Sequence, residues 1–401
     1  MNNTSHQVPF KTKVAHCAKE IQKRDCARAK HLVAGHHPHG PNACHDKKKG
    51  NHTAGSPPSS GTTIPCADNG VTYLAAVAIG SPAKNYNLLI DTGSSNTWVK
   101  QPPYTPTSTS QDTRKPFQIQ YGSGSCSGNE YTDQVALCPQ LCIKNQSIGV
   151  ADKCDQMDGI DGILGIGPVD LTQGTTAPGA SGQNNDIPTI TDNLVAQGLI
   201  KNERVCVYYE PTTSADAANG CLCFGEPDPS QYNDDLNYVP ITKTSPACNY
   251  WGIDQSISYG SEEIMASCAG ISDTGTTLIM LPSTAFQAYQ KKTGAVMDSQ
   301  TQLLTVTQDQ YDKMESMFFS IGGVKYELTK NAQIWPRSMN STLGAKNDQI
   351  CLVFADMGGM ANDGLCFING FAFLQRFYSV YDTTNSQVGY ATTKYTTATT
   401  N

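Results

Sequence analysis

LLIDTGSSNTWV, Leu88–Val99, and GISDTGTTLIML, Gly270–Leu281, place the same Asp-Thr-Gly turn behind an apolar strand twice, half a molecule apart. One copy alone reads as an Asx-type turn, because Asp, Thr and Gly all favour turns. The second copy requires a repeat. DGILGIG (Asp161–Gly167) follows the first turn and CFINGFAF (Cys366–Phe373) the second, each an apolar run reaching a Gly. Each half then holds a strand, a turn carrying Asp, and a later apolar-Gly strand packed beneath it. A period this long is not that of a solenoid, whose repeats run to about 50 residues. It predicts duplicated halves facing one another across a cleft.

The rest of the 401-residue chain fits that plan. Short apolar runs such as VTYLAAVAIG and FYSVYD, separated by Gly, Ser, Asn and Pro, predict a mainly β protein. No window approaches the roughly 18 apolar residues of a membrane span, and the tail ATTKYTTATTN is polar, without a lipid-anchor signal. No membrane association is expected. The net charge of −7 hides an asymmetry: residues 1–60 carry ten Lys and Arg against three Asp and Glu, while the remainder carries eighteen against thirty-two. Such a basic arm can bind nucleic acid or an acidic surface. Its Lys and Arg lack interleaved aromatics, so the acidic body of the same chain is the expected partner and nucleic acid is not.

All eight histidines lie between His6 and His52. Ser-His and Cys-His hydrolysis needs an imidazole base, and zinc hydrolysis usually needs imidazole ligands. None of these chemistries can be housed wholly in residues 53–401. HHPHG (His36–Gly40) is a weak metal tract by composition and reads more simply as polar linker. No metal and no cofactor are expected.

The fifteen cysteines are an odd number, so at least one thiol is unpaired or bonded to another molecule. Together with the sequons at Asn145 and Asn340 they suggest an oxidising, secretory route. Cys138 and Cys142 are placed to close a turn, and Cys206 to lie near Cys221 or Cys223 in a hairpin. A thiolate zinc site is the rival, but no adjacent second pair completes it, and acid disfavours thiolates. FKTKVAHCAKEIQKRDCARAKHL, Phe10–Leu32, carries Val14, Ile21 and Ala27 among Lys and Arg without Pro or Gly and predicts one amphipathic helix. From Val33 to Thr63 the composition is that of a linker.

If both turns meet, Asp91 and Asp273 lie close together. Two such carboxylates cannot both ionise readily, so the pair holds one proton. The ionised member takes a proton from a water while the protonated member donates to a substrate carbonyl, which is acid–base amide hydrolysis without a covalent intermediate. Gly93 and Gly275 leave room for backbone N–H groups beside the carboxylates. Ser94 and Thr276 supply hydroxyl donors to them, and Thr92 and Thr274 bond across the interface. Hydrogen bonds to the charged form favour ionisation and keep the pair working in acid.

With IQYGSGSCSG (Ile119–Gly128) between the turns, and YWGIDQSI, NAQIWPR and INGFAFLQRFYSVYDTTNSQVGYA after them, the chain from roughly Pro65 to Thr393 resembles the pepsin-like (family A1) aspartic proteases, the secreted fungal polyporopepsin type most of all. The resemblance implies a bilobal fold of two β-barrel-like lobes, with the dyad at the floor of a central cleft and a hairpin flap above it. It assigns Asp91 and Asp273 as the catalytic pair, Tyr121 as the flap tyrosine and Trp98 as the indole that bonds it. Gly122, Ser123 and Thr277 then contact an extended peptide or protein substrate. Ser272 stands where the family usually has an apolar residue, and Asn369-Gly370-Phe371 replaces the common Leu-Gly-Asp. Cys126 and Cys154 occupy positions where members rarely carry cysteine.

Residues 1–60 then resemble a zymogen propeptide with its linker, 61–245 the N-terminal lobe with the flap, and 246–401 the C-terminal lobe. The arm is expected to stay bound at about pH 6 and to leave near pH 4 to 5, as carboxylates titrate. MNNTSHQVPF shows none of the apolar signal expected of a secreted precursor. A neutral Ser123 cannot offset desolvation of a Lys ammonium, so large apolar residues are expected around the scissile bond of a monomeric acid endopeptidase. The competing function is a binding protein on the same fold that has lost catalysis; retention of both Asp residues and Tyr121 argues against it.

Overall fold

The computed structural model describes residues 5–14, 17–35, 71–122, 124–155, 157, 159–176, 186–211, 216–359 and 364–401. Most of the linker and Ser123 lie outside the described residues. The protein is mainly β. Its largest sheet has thirteen strands and includes β1 (Ser5–Val14), β2 (Val71–Ile79), β3 (Lys84–Asp91), β4 (Trp98–Val99), β5 (Gln111–Tyr121) and β6 (Gly124–Cys138). It continues through β7 (Leu141–Asp155), β8 (Gly162–Gly165), β9 (Arg204–Tyr209) and β10 (Asp216–Gly225). Strands Asn237–Pro240, Phe377–Asp382 and Gln387–Thr392 join the same sheet, so it draws on residues from both sides of position 245. A seven-stranded sheet and a three-stranded sheet hold the remaining C-terminal strands.

The repeat is built twice in the same way. β3 runs parallel to β8, with Leu88 opposite Gly162 and Asp91 opposite Gly165, and β4 returns antiparallel to β8. In the second half, strand Glu262–Ser272 runs parallel to Ile368–Asn369, with Ser272 opposite Asn369, and Ile279–Leu281 returns antiparallel to it. Each Asp-Thr-Gly turn thus sits at the end of one strand and is flanked by the apolar-Gly strand. That strand is buried on both faces, which is why it reads as a continuous apolar run rather than an alternating one.

The N-terminal arm departs from the single predicted helix. Residues 5–14 are a strand, and the helix α1 (Ala18–Val33) begins only after it. β1 fills the place between β10 and β2, pairing antiparallel with both. Val8 and Phe10 are buried while Gln7 and Pro9 are exposed, the period-two pattern of a strand with one face in the core. Tertiary pairing has overridden local helix preference here. α1 buries Ala18, Ile21, Asp25, Ala29, Leu32 and Val33. Ala27, predicted on its apolar face, is only half-buried.

Cys126 and Cys154 form a disulfide that joins β6 to β7 just beyond the flap turn. The predicted Cys138–Cys142 bridge is not formed; the two thiols sit in the β6–β7 hairpin out of register, with Cys138 opposite Leu141 and Cys142 opposite Ala136. Cys206 does lie directly across from Cys223 in the β9–β10 pair, as thiols.

Candidate active site

Asp91 and Asp273 are fully buried and meet at the interface of the two repeats. Reciprocal bonds between the neighbouring threonines hold the turns together. Thr92 N–H donates to Thr274 Oγ1 at 3.0 Å, and Thr274 N–H donates to Thr92 Oγ1 at 2.9 Å. Each hydroxyl in turn donates a hydrogen bond to the opposite strand, Thr92 to the Ser272 carbonyl at 3.3 Å and Thr274 to the Ile90 carbonyl at 3.0 Å. The N–H and the hydroxyl of both threonines thus have partners, as a buried network requires.

The carboxylates carry matching donors. Ser94 Oγ donates to Asp91 Oδ2 at 2.6 Å and Gly93 N–H to Oδ1 at 3.0 Å. Thr276 Oγ1 donates to Asp273 Oδ2 at 2.6 Å and Gly275 N–H to Oδ1 at 3.1 Å. The glycines are sterically required: a Cβ on Gly93 would lie 2.8 Å from Asp273 Oδ1, and one on Gly275 would lie 2.7 Å from Asp91 Oδ1. Each turn therefore leaves space for the opposite carboxylate.

That space is occupied by Arg28 of α1. Its Nη2 donates to Asp91 Oδ1 at 2.5 Å and to Asp273 Oδ1 at 2.9 Å, and its Nε donates to Asp273 Oδ2 at 2.6 Å. One nitrogen thus touches both carboxylates. Burial opposes charge on both partners, but the Arg28 guanidinium and its hydrogen bonds hold Asp273 below the ordinary carboxylate range. In return the Asp273 and Asp91 charges outweigh the burial of Arg28 and hold it firmly protonated. The sequence led to the expectation of two carboxylates facing each other directly; in this structure an Arg28 cation stands between them.

One helical turn before Arg28, Asp25 accepts backbone N–H groups from Thr277 and Leu278. Above the dyad, Tyr121 closes β5, and its hydroxyl accepts from Trp98 Nε1 at 2.8 Å. Both rings are buried, in a cluster with Leu74, Leu89, Phe117 and Ile163. Gly122 lies against α1, where a Cβ would stand 2.6 Å from Arg28 Cα. A hollow between α1 and the dyad is lined by Leu89, Tyr121, Met157, Ile163 and Thr277.

Two departures noted in the sequence have structural partners. Ser272 Oγ bonds the Tyr381 hydroxyl at 2.9 Å. Asn369 and Gln255 exchange amide hydrogen bonds at 2.8 and 3.1 Å, both fully buried. Arg28 and Asp25 were missed from sequence, although a signal existed: both fall on the stripe defined by Ala18, Ile21, Ala29 and Leu32, where a charge has no place without a partner. Among the described residues no group of three or more His, Cys, Asp or Glu side chains is placed to hold a metal ion, and no helix is long and apolar enough to cross a membrane.

Residues 72–393 match the family model described as eukaryotic aspartyl protease. Polyporopepsin from Irpex lacteus is 52% identical over 84% of this chain and 99% of its own length. Cathepsin E from Rattus norvegicus is 33% identical over 80% of this chain and 79% of its own. The crystal structure of an aspartic proteinase from Irpex lacteus superposes with a TM-score of 0.81 at 45% identity, covering 99% of this chain and all of that one. The chain belongs to the eukaryotic aspartyl protease family, the pepsin-like family A1.

Proposed function

We propose that the chain is a secreted acid endopeptidase made as a zymogen, in which Asp91 and Asp273 activate a water for attack on a peptide bond. The observation that carries this reading is the pair of buried carboxylates, each with one hydroxyl and one N–H donor, facing each other across a single Arg28 nitrogen. Residues 1–60 act as propeptide and linker, 61–245 as the lobe bearing the flap, and 246–401 as the second lobe, in a monomer. Once Arg28 leaves, the two acids share a proton, since like charges this close do not both ionise. One then accepts a proton from water while the other donates to the scissile carbonyl, and Tyr121, Gly122, Ser123 and Thr277 hold the extended substrate.

The walls formed by Leu89, Tyr121, Met157 and Ile163 support a preference for large apolar residues beside the scissile bond. The neutral Ser123 supports it from the sequence, because no carboxylate there offsets desolvation of a Lys. Fifteen cysteines, the Cys126–Cys154 bridge and the exposed sequon at Asn145 support secretion; the Asn340 sequon does not, because its side chain is buried and its Nδ2 donates to the Lys346, Asn347 and Gln349 carbonyls. The depressed Asp273 refines the expected activation pH. A carboxylate with a lowered folded-state pKa contributes docking stability above its ordinary value and loses it as pH falls through the lowered one. The Arg28 contact should therefore persist below the pH 4 to 5 expected for surface carboxylates. Digestion of a denatured protein at about pH 3 to 5, with and without a statine-type inhibitor, tests the reading. Inhibitor-sensitive cleavage is expected, and inhibitor-insensitive or absent cleavage contradicts it.

A further inference from the structure

Two thiols with no part in the dyad meet on the strands that carry the second Asp-Thr-Gly turn. Cys268 sits on strand Glu262–Ser272, which leads directly into Asp273, and Cys366 leads into Ile368–Asn369, which runs parallel to it. The Cys366 N–H donates to the Ala269 carbonyl at 2.7 Å, and the Asp273 N–H donates to the Asn369 carbonyl at 3.1 Å. One pair of segments thus holds both the thiols and the backbone of the turn. The two side chains are joined by a hydrogen bond in which the Cys268 S–H donates to the Cys366 sulfur; it lowers the Cys366 thiol and raises that of Cys268. Both are half-buried, packed on the edge of the main core.

The other described thiols lack this combination of contact, span and access. Cys138 and Cys142 are out of register. Cys206 and Cys223 face each other but are fully buried, and burial pushes Cys206 up to about 12, away from the thiolate that reacts. Cys221 also bonds Cys223, but the two stand on one strand with a single residue between them, a spacing of about 6.6 Å along the chain that keeps their Cβ atoms beyond the roughly 4 Å a disulfide needs. Adjacent strands lie about 4.8 Å apart, within the span a disulfide takes between Cα atoms.

We propose that Cys268 and Cys366 are a site of oxidative modification, closing to a disulfide that staples the strand leading into Asp273 to the strand that receives its N–H. The oxidant is a small-molecule disulfide, oxidised glutathione, and the proposal rests on the secretory reading above for its supply. The Cys366 thiolate attacks one glutathione sulfur and releases the other as a thiol. Cys268 gives up its proton and attacks the Cys366 sulfur of the mixed disulfide, releasing the second glutathione. Two S–H bonds are lost and one S–S bond is gained in the protein, and the two electrons and two protons leave on two glutathione thiols. Because the thiolate attacks, the bridge closes near neutral pH, before the chain meets acid.

The unprocessed chain, purified in reductant, should be equilibrated at neutral pH in a glutathione buffer, quenched in acid, alkylated, digested and mapped by mass. Peptides joined through Cys268 and Cys366 are expected at poises that also close Cys126–Cys154, while Cys138 and Cys142 are alkylated. Alkylation of both Cys268 and Cys366 under those conditions overturns the proposal. Glutathione retained on Cys366 overturns it too, by showing that Cys268 does not reach the mixed disulfide. Since the oxidant is supplied, failure of the map is a failure of the pairing and not of the secretory reading. The staple closes a loop of about 100 residues, so the oxidised wild type should unfold at a urea midpoint about 1 M above that of the Cys268→Ala, Cys366→Ala double variant. Equal midpoints with the bridge formed contradict the stapling role, and if the double variant fails to fold the map of the wild type still decides.

Discussion

On the Asp91 side the surroundings are apolar and aromatic, with Leu89, Trp98, Phe117 and Tyr121 in one buried cluster. Around Asp273 they are polar and interlocked, with Ser272 bonded to Tyr381 and Asn369 paired to Gln255. Yet the atoms that touch the two carboxylates are nearly superimposable in kind and distance: a hydroxyl at 2.6 Å, and an N–H at 3.0 Å on one side and 3.1 Å on the other. The duplication is kept where charge is handled and relaxed one layer out. One half packs its turn against apolar side chains, while the other ties its turn into side-chain hydrogen bonds.

The comparison breaks most readily at the dyad itself. Either Asp91→Asn or Asp273→Asn should lower turnover by about 10²- to 10⁴-fold, the usual worth of positioned acid–base groups, with circular dichroism unchanged. Unequal losses would show that the matching inner contacts do not confer matching roles.

Next in size is the cation that spans both halves. Arg28→Ala leaves two buried carboxylates without their partner and should weaken docking of α1 by about 3–5 kcal/mol. Calorimetry on the unprocessed chain near neutral pH should then detect binding of a statine-type inhibitor that wild type excludes. Continued exclusion would mean that Arg28 does not hold the cleft shut. The two α1 anchors also differ in pH response. The Arg28 contact fades as pH falls through the lowered Asp273 value, whereas Asp25, raised to about 7, favours docking most at low pH and loses that contribution as pH rises toward 7.

The polar layer under Asp273 should matter to stability more than to rate. Asn369→Leu strands the buried Gln255 amide and should cost about 1–3 kcal/mol, read as a lower urea midpoint with an unchanged slope. The smallest effect belongs to the flap side. Tyr121→Phe removes the acceptor for Trp98 Nε1 while keeping the ring, and should cost about 1 kcal/mol of stability, read as a lower urea midpoint, while also lowering kcat/KM. If Asn369→Leu altered rate and Tyr121→Phe did not, the contrast between the halves would be reversed.

The Asp-Thr-Gly repeat and its apolar-Gly partners were legible because each residue has a local reason to be there: Asp as acid, Thr as cross-linker, Gly as clearance. Tyr121 and Trp98 were legible only through the family resemblance, since alone each reads as an ordinary strand or core aromatic. The arm was legible in charge but not in shape, because β1 owes its strand conformation to β10 and β2, which lie far away in sequence. Arg28 could be counted among ten cations, but only the packing of α1 singles it out. The Asn369–Gln255 pair was equally hidden, since its partners are 114 residues apart and neither is polar for a local purpose.

The most direct measurement is the single-turnover cleavage rate of one peptide by the activated wild type, Asp91→Asn, Asp273→Asn and the double variant. Two carboxylates acting as one unit give non-additive losses, so each single variant should fall almost as far as the double. A single variant that retains near wild-type cleavage, or losses that multiply in the double, would contradict the shared dyad.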